Sequence, residues 1–152
     1  MKKLILISSK MNKKTTNIKT FKVNEQLKDE WIKIEDFTLA SFKNVLISFT
    51  TQNNEEYFAL VDSLLIQSKD QEINLYYNEY FETFIQKQDK NQLKILETKY
   101  KEVISRIKKM KLLKMVNWNT LNETELEILE KQAFKLKAQI YFSLFNKELV
   151  WD

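Results

Sequence analysis

The sequence predicts an α+β fold: an N-terminal antiparallel β-meander followed by a C-terminal antiparallel helical hairpin packed on or extending from the sheet. Three observations lead there. Up to Tyr77 the apolar residues fall in short, mostly alternating runs, the period-2 pattern of half-buried strands. Beyond residue 78 they step by three and four over two long stretches, as on amphipathic helices. Between the early runs lie polar groups containing Asn and Asp, on which the turns must rely in a chain that holds no glycine or proline in its 152 residues. Strands first and helices second define the class. The length fits one domain over residues 1–152, mostly β to residue 77 and mostly α from 78.

The elements follow in order. "KLILIS" is a brief apolar run. "EWIKIE" alternates, with Ile32 and Ile34 on one face and Trp31 on the other beside Lys33 and Glu35. "NVLISFT" puts Val45, Ile47 and Phe49 on one face, and "QNNE" supplies a turn. "EYFALVDSLLIQ" is ambiguous: Tyr57, Leu60, Val61, Leu64 and Leu65 fit a helical stripe, but the preceding strand and turn favour a hairpin strand. "SKDQ" turns the chain again and "EINLYY" alternates Ile73, Leu75 and Tyr77. The meander therefore has about five or six strands.

The aromatic-rich "LYYNEYFETFI", Leu75 to Ile85, reads as the junction between sheet and helix. Leu75 and Tyr77 finish a strand, Asn78 caps, and Tyr80, Phe81 and Phe84 open a helix. Tyr76, on the other strand face, is left for an exposed contact. The surroundings are acidic, since residues 43–85 carry two lysines against seven acids. A stacking platform for nucleic-acid bases wants the opposite sign.

Two seams mark the helices. Leu93, Leu96, Tyr100, Val103, Ile107 and Met110 form the first; Leu126, Leu129, Ala133, Leu136 and Ile140 form the second. Thr120 with Glu123, and Asn122 with Glu125, have capping-box spacing between them. A short connection makes the pair an antiparallel hairpin. "IYFSLF" is apolar around more than one helix face, which implies burial on two sides or a homo-oligomer through the C-terminal helices.

Composition removes whole classes of chemistry. Cysteine and histidine are absent, so the usual zinc ligands, a thiol nucleophile and a histidine base are all missing. Without glycine there is no phosphate-binding loop, dinucleotide turn or nucleophile elbow. No carboxylates have metal-ligand spacing, and Glu97 with Lys99, two apart on a helix, do not face each other. The expectation is a non-enzymatic chain with no catalytic residue, no metal and no cofactor. The apolar run Leu4–Ile7 is too short for a signal peptide, and no run reaches a membrane span, so a cytoplasmic protein with no membrane contact is expected. Scarce Ala and abundant Lys, Asn and Ile fit an AT-rich coding sequence.

Charge is segmented. Residues 1–22 hold seven lysines and no acid, and residues 87–114 hold ten basic residues against three acids. Lys10, Lys13, Lys14, Lys19 and Lys22 form the first candidate surface for a polyanion or an acidic partner. They also suit a lysine-protected edge strand. Arg106, Lys108, Lys109 and Lys111 form the second. Here Lys108, Lys109, Lys111 and Lys114 at the end of one helix would face Glu123, Glu125, Glu127 and Glu130 at the start of the next, each set complementing a helix dipole. A single arginine, Arg106, gives little scope for bidentate base readout. Trp31, Tyr76 and Trp118 are candidate interface aromatics, whereas Trp151 is expected to fold back on the sheet.

The expected function is macromolecular interaction. The chain would be an assembly subunit, or an inhibitor occluding its partner, a type found among mobile-element proteins directed at host systems. The partner would be another protein or a ribonucleoprotein complex. The alternative is an RNA- or DNA-binding accessory protein using the lysine-rich surfaces, and a metal-dependent nuclease ranks third.

Overall fold

The computed structural model describes residues 1–116 and 123–152. It is α+β, with eight strands in one mostly antiparallel sheet and two helices forming a hairpin. The strands are β1 (Lys2–Ser8), β2 (Lys13–Asn24), β3 (Ile32–Lys33), β4 (Leu39–Thr51), β5 (Glu56–Lys69), β6 (Glu72–Tyr77), β7 (Glu82–Gln86) and β8 (Leu144–Asn146). The helices are α1 (Lys90–Met115) and α2 (Glu123–Phe142). The chain divides into two compact units, Met1–Gln86 with Leu144–Asp152, and Lys87–Ser143.

In the first unit the meander closes on itself. β1 pairs with β2, β2 with β4, β4 with β5 and β5 with β6, all antiparallel; β6 then pairs with β1 in parallel. Five up-and-down strands leave the first and last pointing the same way, so only a parallel pairing can close the ring. Closure satisfies edges that an open sheet would expose. The alternating positions fill the interior: Leu4 and Leu6, Ile18, Phe21 and Val23, Ile47 and Phe49, Ala59, Ile66, Ile73 and Leu75 form one buried cluster. A register shift between Ile18 and Thr20 moves the inward set of β2 from even to odd positions, so that Phe21 and Val23 face the same core as Ile18.

β4 and β5 change face together. Val45, Ile47 and Phe49 of β4 face inward, then Phe42, three residues back, packs on the same core. On β5 the inward residues step from Val61 to Leu64. Asn44, at φ 49°, sits at the switch on β4, and the exposed pair Asp62–Ser63 sits at it on β5. Each strand gains one residue at the same level, so the register continues unbroken from Thr50↔Glu56 to Leu39↔Gln67. The ambiguous segment 56–67 is thus a strand, and its helix-like stripe is the signature of this change of face.

Two sequence readings are corrected here. Asn78–Phe84 does not open a helix: Glu82–Gln86 is β7, and Phe84 is fully buried and paired with Phe58. β6 covers the edge of β5 only from Leu64 onward, and β7 supplies partners for Phe58–Leu60. Nor is "IYFSLF" helical throughout. α2 ends at Phe142, Ser143 takes φ 54°, and Leu144 and Phe145 enter β8 opposite Gln86 and Ile85. The apolar faces that implied pairing of C-terminal helices belong to two different elements. Residues 87–143 are therefore inserted between two adjacent antiparallel strands. "EWIKIE" is also shorter than expected: only Ile32 and Lys33 pair with β2, Ile34 is buried and Ile32 is exposed.

Turns do not rely on Asn and Asp alone. Asn44, Asn54 and Asp70 take positive φ, but so do Met11, Leu27, Phe37, Gln71 and Ser143. Each side chain with a Cβ pays roughly 1–2 kcal/mol for that conformation.

In the second unit Asp89 caps α1, its carboxylate accepting from the Gln92 amide at 3.1 Å. Val103, Ile107, Leu126, Leu129 and Leu136 form the buried seam, with Leu96, Tyr100, Met110 and Ala133 packed against it, as the 3/4 spacing predicts. The expected capping boxes involve Thr120 and Asn122, which lie outside the described residues.

Candidate binding face

The C-terminal segment returns to the barrel. Lys147 N donates to Thr83 O at 3.1 Å and Asp152 N donates to Thr15 O at 2.8 Å. Between them Leu149 and Trp151 pack on the barrel core, and the Trp151 ring lies 6.3 Å from Phe49 and 6.1 Å from Phe81. Trp151 folds back as the sequence suggests. Open grooves of about 380 and 510 Å³ flank this segment. Lys14 lines the larger, beside Phe81 and Trp151.

The N-terminal lysines do not share one surface role. Lys22 is tied down, its ammonium 3.2 Å from Glu56 and 5.0 Å from the centre of the Trp31 ring. Trp31 in turn packs edge-on against Phe58 at 6.0 Å. Two candidates, Lys22 and Trp31, thus satisfy each other. Lys19 donates to the Asn54 side chain. Lys10 lies exposed in the β1–β2 turn, and Lys13 and Lys14 are exposed at the start of β2.

The pairing register brings Tyr76 and Lys13 onto one outer face. Ile7 is opposite Tyr76 on one side and Lys13 on the other. Tyr76 is also opposite Leu65, which is opposite Ser41. Two residues along, the row reads Leu39, Gln67, Asn74, Ile5. The barrel exterior here carries exposed Leu39 and Leu65 and part-buried Tyr76 and Ile5, interspersed with amides, around a buried Ile7. Tyr76 Oη donates to Gln67 Oε1 at 3.4 Å across this face.

Phe37 stands at its border, 78% exposed, with φ at 63°. A bulky side chain in the left-handed region costs free energy and persists only where the surroundings impose it. They do so on both sides. Asp36 pairs with Lys2 at 3.5 Å, Thr38 Oγ1 donates to Glu35 O at 2.7 Å, and Ser68 N donates to Thr38 O at 2.8 Å. Ile34 anchors the segment in the core. The ring is therefore held out in solvent by a fastened turn, next to Leu39, which is 71% exposed. Sequence reasoning singled out neither residue. The available signal was a lone phenylalanine in "EDFT", outside any alternating run.

On the helical hairpin, Arg106 pairs with Glu125 at 3.2 Å, Lys111 with Glu130 at 3.7 Å and Lys114 with Glu123 at 3.7 Å. The expected neutralisation by the facing helix involves Lys111 and Lys114, with Arg106 added. Lys108 and Lys109 form no ion pair among the described residues. Trp118 lies outside the described residues. Among the described residues no three acidic side chains gather as a metal site would require, and no helix is long and apolar enough to cross a membrane.

Fold and site together define a class: a small closed β-barrel carrying an inserted helical hairpin, with apolar residues on its outer face. The chain belongs to the UU051 N-terminal domain family, whose model matches residues 3–82. That match runs from β1 into the first residue of β7, so it takes in the whole barrel ring, Phe37 and Tyr76. No curated protein matches the chain.

Proposed function

We propose that the chain is a non-enzymatic interaction protein, an assembly subunit or an inhibitor that occludes its partner, and that it grips another protein through the outer face of its barrel. The observation that carries this is Phe37. A phenylalanine held in solvent by a strained and fastened turn, beside exposed Leu39 and the Leu65–Tyr76 row, has the makings of an interface anchor. An apolar centre with amides and lysines around it resembles the core and rim of a protein interface.

A second reading, binding of RNA or DNA, is favoured by one specific observation: Lys13 and Tyr76 flank the same residue, Ile7, with Lys10 in the adjoining turn. Against it, the face holds one aromatic ring in its centre, and stacking platforms generally offer several.

Salt separates the two. Tagged protein incubated with extract from its own source is washed at low and high salt, and both protein and nucleic acid are identified. An apolar interface retains one protein at high salt and loses it on Phe37→Ala with Leu39→Ala. Phosphate contacts weaken steeply with salt. Recovery of nucleic acid alone, lost at high salt and on Lys10→Ala with Lys13→Ala, would exclude the first reading.

A further inference from the structure

The segment Lys147–Asp152 is seated on the end of the barrel like a bound peptide. Its burial alternates: Leu149 and Trp151 are half-buried against the core, while Glu148 and Val150 are exposed, the period of an extended chain. Four rings make its floor. Phe49 of β4 and Tyr57 of β5 stack at 6.0 Å, and Tyr77 of β6 lies 5.4 Å from Phe81. Trp151 joins the two pairs through Phe49 and Phe81. The mouth of a β-barrel is a recurrent place for a ligand. The hold on the segment is confined to its ends. Lys147 is bonded to Thr83 through both its amide and its carbonyl, and its ammonium lies 3.6 Å from Glu55. Asp152 N donates to Thr15 O. The amides from Glu148 to Trp151 have no hydrogen-bond partner among the described residues. The two open grooves leave the sides of the segment uncovered.

We infer that this slot is a second protein-binding site, closed by the chain's own Leu149 and Trp151 and opened when an extended segment of another protein takes their place. The seated segment shows what the slot accepts: a leucine-sized side chain and an aromatic ring two positions apart on an extended backbone. That pattern is the occupant's chemistry. A longer competitor gains what the segment leaves unused, because it also fills the groove of about 510 Å³ and meets exposed Lys14 on its wall. Exchange disturbs no strand pairing, since β8 ends at Asn146, before the segment begins. The slot shares no residue with the Phe37 face, so it is a separate site.

A synthetic peptide with the sequence of Asn146–Asp152 is the probe, titrated into the natural chain and into Trp151→Ala and followed by amide resonances. Circular dichroism checks that the variant folds; should it not, Leu149→Ala takes its place. In the variant the ring's place is vacant, and the peptide should shift the amides of Phe49, Tyr57 and Phe81. In the natural chain the segment competes, and the same shifts should need at least about tenfold more peptide, because affinity falls by the fraction of molecules that are open. The peptide carrying both Leu149→Ala and Trp151→Ala should move none of these amides. Hydrogen exchange on the natural chain needs no variant: the Lys147 and Asp152 amides should exchange at least about 100-fold faster than those of Ile47 and Ile73, as a locally opening segment does. Exchange as slow as the core's overturns the inference, and so does a folded variant that ignores the peptide or responds no better than the natural chain. Partner retention through Phe37 is decided separately by the salt experiment.

Discussion

Phe37 separates stability from function at a single residue. Its side chain is out in solvent, so removing it takes away little packing, while its backbone sits where glycine is at ease. Phe37→Gly should leave stability unchanged or raise it by up to about 1 kcal/mol, measured by urea unfolding, and should abolish partner retention. Loss of more than that in stability would show that the ring packs in the folded protein. Trp151 predicts the reverse. It is half-buried between Phe49 and Phe81, so Trp151→Ala should cost about 2 kcal/mol in the same assay and leave the Phe37 face intact. The two residues also differ in how legible they are. Trp151 follows "NKELV" and could be read as a ring that folds back. Phe37 owes its exposure to a left-handed turn fastened by Lys2 and Ser68, residues far away in sequence, and nothing local announces that.

At the scale of elements, the helices were the most legible. A seam recurring every three or four residues from Leu93 to Met110, and again from Leu126 to Ile140, has only one structural solution, and the buried residues Val103, Ile107, Leu126, Leu129 and Leu136 all lie on these seams. Leu129→Ala should therefore cost about 2–4 kcal/mol in the stability of the hairpin unit. Lys114→Ala, which removes one exposed ion pair with Glu123, should cost no more than about 0.5 kcal/mol. Thermal unfolding of the two variants separates packing from charge. β7 and β8 were illegible for a physical reason. Each is short, and each is a strand because β5 leaves Phe58–Leu60 open to β7 and β7 in turn pairs with β8. Tertiary demand overrode the helical spacing of Tyr80, Phe81 and Phe84. Because Gln86 lies opposite Leu144, residues 87–143 can be replaced by a two-residue Asn-Gly turn. The shortened chain should keep the barrel, seen as an unchanged set of strand amide resonances. Loss of those resonances would make the insertion part of the barrel's folding unit.

At the scale of the whole molecule, the fold class was readable and the closure was not. Alternation shows which residues face inward along one strand but says nothing about which strands meet. The parallel pairing of β1 with β6 joins residues about seventy positions apart. Closure also explains how a chain without glycine folds tightly: strain at Met11, Leu27, Phe37, Gln71 and Ser143 is offset by a core in which Leu4, Ile18, Ile47, Phe49, Ile73 and Leu75 are fully buried. The charge segments were legible as composition only. Their meaning changed once Lys22 was found on Glu56 and Trp31, and Lys111 and Lys114 on the facing helix. Among the described residues, Lys14, Lys108 and Lys109 stay exposed, as does an apolar face bordered by Phe37 with Lys10 and Lys13 at its far side. The most direct test of that face is the high-salt wash of captured protein compared between the natural chain and Phe37→Gly. The account predicts one retained protein with the natural chain and none with the variant. Equal retention by both, or retention of nucleic acid alone, would contradict it.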